Sequence, residues 1–244
     1  MTPLINNYSQ LSGKTVSWDT SDSEKIFLKH TQNEHTRQRL EALGFLSTPV
    51  EYKYNSHGFR TAEFDQDFDT VCFGCSFTMG TGVHGKDTWP SQLASLTGLR
   101  VANLGHSGSS NDTVFRYAQH YLPLLRPRYA VWLQTDMHRL ELIDDARAVN
   151  LNIIAGDTSN PCADDYFIKV WFSSKTNQLL NLQKNTLAFG SLCDSLDIKP
   201  VLLSRDKIPA CTPCSNARDL NHPGAETYKI IAGQVANLIT NQSA

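Results

Sequence analysis

No apolar stretch in the 244 residues approaches the roughly 18 that a membrane-spanning helix needs. Charge of one sign is missing too: 22 Lys and Arg stand against 24 Asp and Glu, a net charge of −2. Neither nucleic acid nor an anionic membrane is therefore expected as a partner. The opening Met1-Thr2-Pro3-Leu4-Ile5-Asn6-Asn7 lacks the basic and apolar regions of a signal peptide. It predicts a product made in a cytoplasm and kept there, unless lysis or a larger particle such as a virion carries it out. Internal repeats and low-complexity tracts are absent as well.

Six cysteines invite a metal or redox reading, because Cys72-x-x-Cys75 and Cys211-x-x-Cys214 have the pair spacing of a zinc site. Cys72, however, falls in a strand-like run, where residues three apart point to opposite faces. Cys211 and Cys214 sit in a Pro-containing loop, where a strained disulfide or a metal with other ligands is the alternative to free thiols. Without a secretion signal, free thiols are the default, and no cofactor or metal is expected.

What is present suits a soluble globular protein: 40% hydrophobic and 19% charged residues, in a chain long enough to bury a sizeable core. Residues 1–67 are polar and short of apolar runs. Small helices are expected near Ile26-Phe27-Leu28 and Leu40-Glu41-Ala42-Leu43, with Ser21 or Ser23 as an N-cap. This segment reads as a flank or lid on a main domain over 68–244. There, strands are expected at 70–73, 100–104, 128–133 and 199–203. Helices alternate with them at 89–96, 112–125, within 165–196 and at 224–239. That alternation implies an α/β fold, a three-layer α/β/α sandwich around a parallel sheet. Ligands in such folds sit beyond the carboxyl ends of the strands.

Two segments carry chemistry. Phe73-Gly74-Cys75-Ser76-Phe77-Thr78-Met79-Gly80 places a serine at the end of the strand-like Thr70-Val71-Cys72-Phe73. Asp219-Leu220-Asn221-His222-Pro223-Gly224 places an acid three residues before a histidine, just ahead of the last helix. Nucleophilic hydrolysis needs a hydroxyl, an imidazole to take its proton, and a carboxylate to fix the imidazole's tautomer. Singly, Ser76 reads equally as a capping serine, and His-Pro-Gly as plain turn chemistry. The G-x-S-x-G elbow of the α/β-hydrolases is excluded, since Thr78 stands where its second glycine belongs.

The spacing G-x-S-x-x-x-G, followed by Gly82-Val83 and Thr88-Trp89-Pro90, resembles the opening motif of the SGNH (GDSL-type) hydrolases. Asn55-Ser56-His57-Gly58-Phe59-Arg60 resembles a lead-in found in one branch of that superfamily. Asn103-Leu104-Gly105-His106-Ser107-Gly108 is similar to its second motif, and Asp219 with His222 to its closing one. The resemblance runs in order from about Asn55 to the C-terminus and implies a flavodoxin-like SGNH fold. It also implies ester hydrolysis: Ser76 as nucleophile, His222 as base then acid, and Asp219 orienting His222. The N–H groups of Ser76 and Gly108 would hold the oxyanion.

The third motif, G-x-N-D, is missing its asparagine. In Tyr129-Ala130-Val131-Trp132-Leu133-Gln134-Thr135-Asp136 the position is Thr135. Thr135 and Asn111 are the two candidates for the third oxyanion donor. Losing one such donor costs on the order of 3 kcal/mol in related designs. Two functions follow as expectations. One is an acyl esterase, foremost an acetylesterase, on a carbohydrate or other small alcohol ester. The other is a weak or inactive binding module, part of a viral or other large assembly. The flank and the loop over 144–164 are expected to shape the pocket.

Overall fold

The computed structural model describes residues 9–143, 148–151, 170–171, 174–208 and 215–241. In the flank, β1 (Thr15–Val16) pairs antiparallel with β2 (Tyr52–Lys53). Between them in sequence lie α1 (Glu24–Gln32) and α2 (Glu34–Ala42). Ser23 is the N-cap of α1, its Oγ accepting from the Ile26 N–H at 3.3 Å. Leu40, Phe45, Val50, Tyr52 and Tyr54 form a small cluster that closes on Met79 of the main domain.

The main domain begins with β3 (Thr70–Phe73), followed by α3 (Ser76–Met79) and α4 (Trp89–Thr97). Then come β4 (Val101–Asn103), α5 (Asn111–Leu125) and β5 (Tyr129–Leu133). After an antiparallel pair, β6 (Leu140–Ile143) and β7 (Ala148–Leu151), the chain continues through α6 (Lys175–Ser195) and β8 (Lys199–Leu203) to α7 (Ala225–Asn241).

Strands β4, β3, β5 and β8 lie in that order in one parallel sheet. Period-2 alternation divides the core between its faces. Val71, Phe73, Ala130 and Trp132 pack with Val114, Tyr117, Tyr121 and Phe189 of α5 and α6. Cys72, Val131, Leu133 and Val201 pack with Leu93 of α4 and Ile231 and Val235 of α7. The expected α/β architecture is therefore present, its sheet four strands wide and covered on both faces. The β6–β7 pair is an addition to the expected elements. Its pairing is antiparallel and outside the main sheet, so no strand–helix alternation announces it. Of the loop over 144–164, residues 144–147 and 152–164 lie outside the described residues. No helix among the described residues is long and apolar enough to cross a membrane.

Candidate active site

Every candidate group lies beyond the carboxyl ends of β3, β4, β5 and β8, because parallel strands carry their following loops to one edge. After β3 the chain does not simply run into a loop. Ser76 opens the one-turn α3, which Gly80 ends in the left-handed region at φ +84°. The Ser76 N–H, at the first helical position, donates to no group among the described residues.

Two loops press against this turn. The His106 N–H donates to the Gly74 carbonyl at 3.0 Å, and Asn103 Nδ2 to the Thr78 carbonyl at 2.8 Å. A Cβ on Gly105 would meet the Met79 nitrogen at 2.3 Å, so only glycine allows this approach. The second-motif loop thereby brings Gly108 (φ +77°) to the same edge. The lead-in segment holds the other side. Asn55 Oδ1 accepts from the N–H groups of His57 and Phe59 and so shapes a tight loop. That loop presents Arg60, which donates to the carbonyls of Gly80, Val83 and Glu51. Arg60 ties the flank to the domain through these carbonyls.

The closing motif folds on itself. The Ala217 N–H donates to the His222 carbonyl, and Leu220 takes a left-handed φ of +56°. The Asp219 Oδ1 accepts from the N–H groups of Asn221 and His222 at 3.0 and 2.9 Å. Its Oδ2 lies 2.6 Å from His222 Nδ1, and His222 Nε2 lies 2.8 Å from Ser76 Oγ. Burial alone would raise the Asp219 carboxyl, but the His222 ring and the two backbone N–H groups hold it at about 2. Ser76, Asp219 and His222, separated by up to 146 residues in sequence, are thus one hydrogen-bonded chain. All three are less than a tenth exposed.

Thr135 and Asn111 lie against each other. The Asn111 carboxamide is bonded both ways to the Thr135 backbone: its Nδ2 donates to the carbonyl at 3.3 Å, and its Oδ1 accepts from the N–H at 3.0 Å. Asn111 is 1% exposed and serves to clamp the start of α5 to the end of β5. The Thr135 hydroxyl is buried and has no partner among the described residues. The Asn111 carboxamide is thus spent on backbone, while the Thr135 hydroxyl stays uncommitted among the described residues. His106 of the second motif is interior as well. Desolvation pushes its pKa down to about 3, so it stays neutral beside the Tyr117 ring.

Four residues at this site escaped the sequence reading. Ser21, one of the two cap candidates, instead donates from Oγ to Asp219 Oδ2 at 3.0 Å. It sits in the turn Asp19–Asp22, whose ends exchange both backbone hydrogen bonds, with Thr20 at φ +50°. Asp22 receives a forked contact from Arg218, the neighbour of Asp219, at 2.9 and 2.7 Å, and a 2.5 Å bond from Tyr52. Asp19 accepts from Ser107, the neighbour of Gly108, at 3.4 Å. One flank turn therefore holds the acid loop with one carboxylate and the second-motif loop with the other. A serine between two aspartates carried no signal of this in the sequence. The fourth, Arg205, stacks on Phe77 beside Ser76.

Among the described residues, no three His, Cys, Asp or Glu side chains gather as a metal site. Cys72, Cys75 and Cys193 are free and buried, while Cys211 and Cys214 lie outside the described residues. A depression of about 450 Å³ at the start of β8, lined by Asp194, Asp197, Ile198, Lys199 and Pro200, is at the opposite end of the strands.

The fold and site define a doubly wound α/β protein with a Ser–His–Asp chain at the carboxyl edge of its sheet. No protein-family model matches it, and neither does any curated protein. Among solved structures it is similar to a protein of the G-D-S-L family from Desulfitobacterium hafniense. The two are 13% identical with a TM-score of 0.44, over 69% of this chain and 98% of that one. It is also similar to the esterase EstA from a Pseudoalteromonas species, 11% identical with a TM-score of 0.36, over 71% and 98%. A family 3 carbohydrate esterase from Clostridium thermocellum is 12% identical with a TM-score of 0.39, over 72% and 94%.

Proposed function

We propose that this chain is a serine-dependent ester hydrolase of the SGNH type. The observation that carries the reading is the continuous contact from Ser76 Oγ through His222 to Asp219, at 2.8 and 2.6 Å. His222 Nε2 takes the Ser76 proton as Oγ attacks the ester carbonyl. Asp219, ionised, holds Nδ1–H toward itself and stabilises the imidazolium that forms. The free Ser76 N–H, with that of Gly108, receives the oxyanion. His222 then protonates the departing alcohol, and water, activated by the same imidazole, releases the acyl group. An acyl group on a carbohydrate or other small alcohol, acetyl above all, is the substrate we put forward. Acyl transfer to an alcohol uses the same residues and differs in how water is excluded.

The buried Thr135 hydroxyl and the occupied Asn111 carboxamide favour a second reading, a module with weak or no turnover. A fluorophosphonate probe separates the two. We expect stoichiometric labelling of Ser76, hydrolysis of nitrophenyl acetate, and loss of both in Ser76→Ala with an unchanged Tm. A wild-type protein that neither labels nor turns over would leave the binding module as the reading.

A further inference from the structure

Beside Ser76 the cleft carries a cation that the triad does not use. Cys75 Sγ lies 4.0 Å from Ser76 Oγ and 4.0 Å from Arg205 Nη1, so a single sulfur atom separates the guanidinium from the hydroxyl. The same guanidinium lies 3.8 Å over the ring of Phe77, whose other neighbour is the His222 ring at 5.7 Å. Arg205 follows β8, and Asp136 follows β5, so the sheet order itself places them together. Asp136 Oδ2 is 3.4 Å from Arg205 Nη1 and 3.3 Å from Arg139 Nη2. Two guanidinium groups thus share one carboxylate oxygen, and the trio by itself carries a net positive charge.

The donors are also unspent. Arg205 Nε and Nη2 have no acceptor among the described residues, and the Arg205 side chain is 32% exposed. Arg139 spends Nη1 on the Ser109 carbonyl, next to Gly108, and its buried Nε has no partner among the described residues. A planar guanidinium lying over an aromatic ring, with one edge bonded and the other free, is set to donate to a two-oxygen anion.

Resting on the ester-hydrolase reading above, we propose that Arg205, positioned by Asp136 and Phe77, selects ester substrates bearing an anionic oxygen group. That group is a carboxylate or sulfate close to the scissile ester, and Arg139 backs the same charge from the second-motif side. A neutral acetylated sugar lacks the group that the free edge of Arg205 would bind.

Matched esters test this, with the charge placed on either side of the bond. Nitrophenyl hemisuccinate against nitrophenyl acetate puts it on the acyl side. Methyl O-acetyl-glucuronide against methyl O-acetyl-glucoside puts it on the alcohol side. In the wild type, one anionic member is expected to exceed its neutral partner in kcat/KM by about tenfold or more. That ratio should fall toward one in Arg205→Gln, and recover in part in Arg205→Lys, which keeps the charge and loses the fork. Turnover of the neutral esters with no anionic preference, or a preference intact in Arg205→Gln, would overturn the proposal and leave the hydrolase reading standing. Were no ester turned over, equilibrium binding of the glucuronide and glucoside to Ser76→Ala would still read the preference. Equal affinities there would sink it.

Discussion

Ser76 and His222 can act only as well as Asp219 is held, and at the residue scale Asp219 is held from three directions. Two backbone N–H groups fix Oδ1, while His222 and Ser21 meet at Oδ2. Removing the Ser21 hydroxyl costs one hydrogen bond of about 1 kcal/mol. Ser21→Ala should therefore lower kcat about fivefold with little change in KM, and Ser21→Thr should retain most of the rate. An unchanged kcat in steady-state assays would mean that the other contacts suffice. Thr135 and Asn111 carry the opposite expectations. Thr135→Val deletes a buried hydroxyl without a described partner, so its Tm should hold or rise and kcat should change by less than about twofold. Asn111→Ala removes both contacts to the Thr135 backbone and should cost about 2 kcal/mol in urea unfolding. A large kcat loss in Thr135→Val would restore it as an oxyanion donor.

At the scale of elements, the decisive unit is the flank turn between β1 and α1. Its two aspartates join loops that follow β4 and β8, so it is part of the site's frame and not a cover laid over it. The Asp22–Arg218 pair is almost fully buried, at 1% and 3% side-chain exposure. Arg218 also stacks on Trp18 at 3.9 Å. Asp22→Ala leaves that guanidinium uncompensated and should destabilise by about 3–5 kcal/mol. Thermal unfolding with a Tm close to wild type would show that the Ser17 carbonyl and the Trp18 ring satisfy Arg218 unaided. Gly82 is equally constrained, since a Cβ there would meet Ala217 Cβ at 2.8 Å while φ stands at +76°.

For the whole molecule, pH sorts the buried groups by sign. His106 stays neutral down to about pH 3 when folded but takes a proton near 6.5 when unfolded. Its contribution is present above pH 6.5 and is lost as pH falls, at up to about 1.4 kcal/mol per unit. Asp219, held at about 2 against an ordinary 3.8, adds a loss only below about pH 4. Asp19 acts the other way: burial raises its carboxyl, and protonation in acid relieves it. Urea unfolding should thus show stability falling already between pH 6.5 and 4. His106→Gln should flatten that slope; the same slope in the variant would place the titrating group elsewhere.

Local chemistry made much of this protein legible in its sequence. Thr70–Phe73 and Lys199–Leu203 are continuous short runs between helical segments, and their strand bounds were readable to the residue. Ser76, Asp219 and His222 could be named as a set because their spacing within two loops survives in one dimension. The meeting of those loops, at 2.8 Å, came from parallel pairing that turns every strand end to one edge. What the sequence could not give are contacts whose partners lie far apart and follow no period. Ser21 on Asp219, Asp22 on Arg218 and Arg205 beside Cys75 are such cases, and so is the choice of backbone over cleft by Asn111. A side chain's partners depend on which loops the sheet brings together, and that is settled only when the whole core packs.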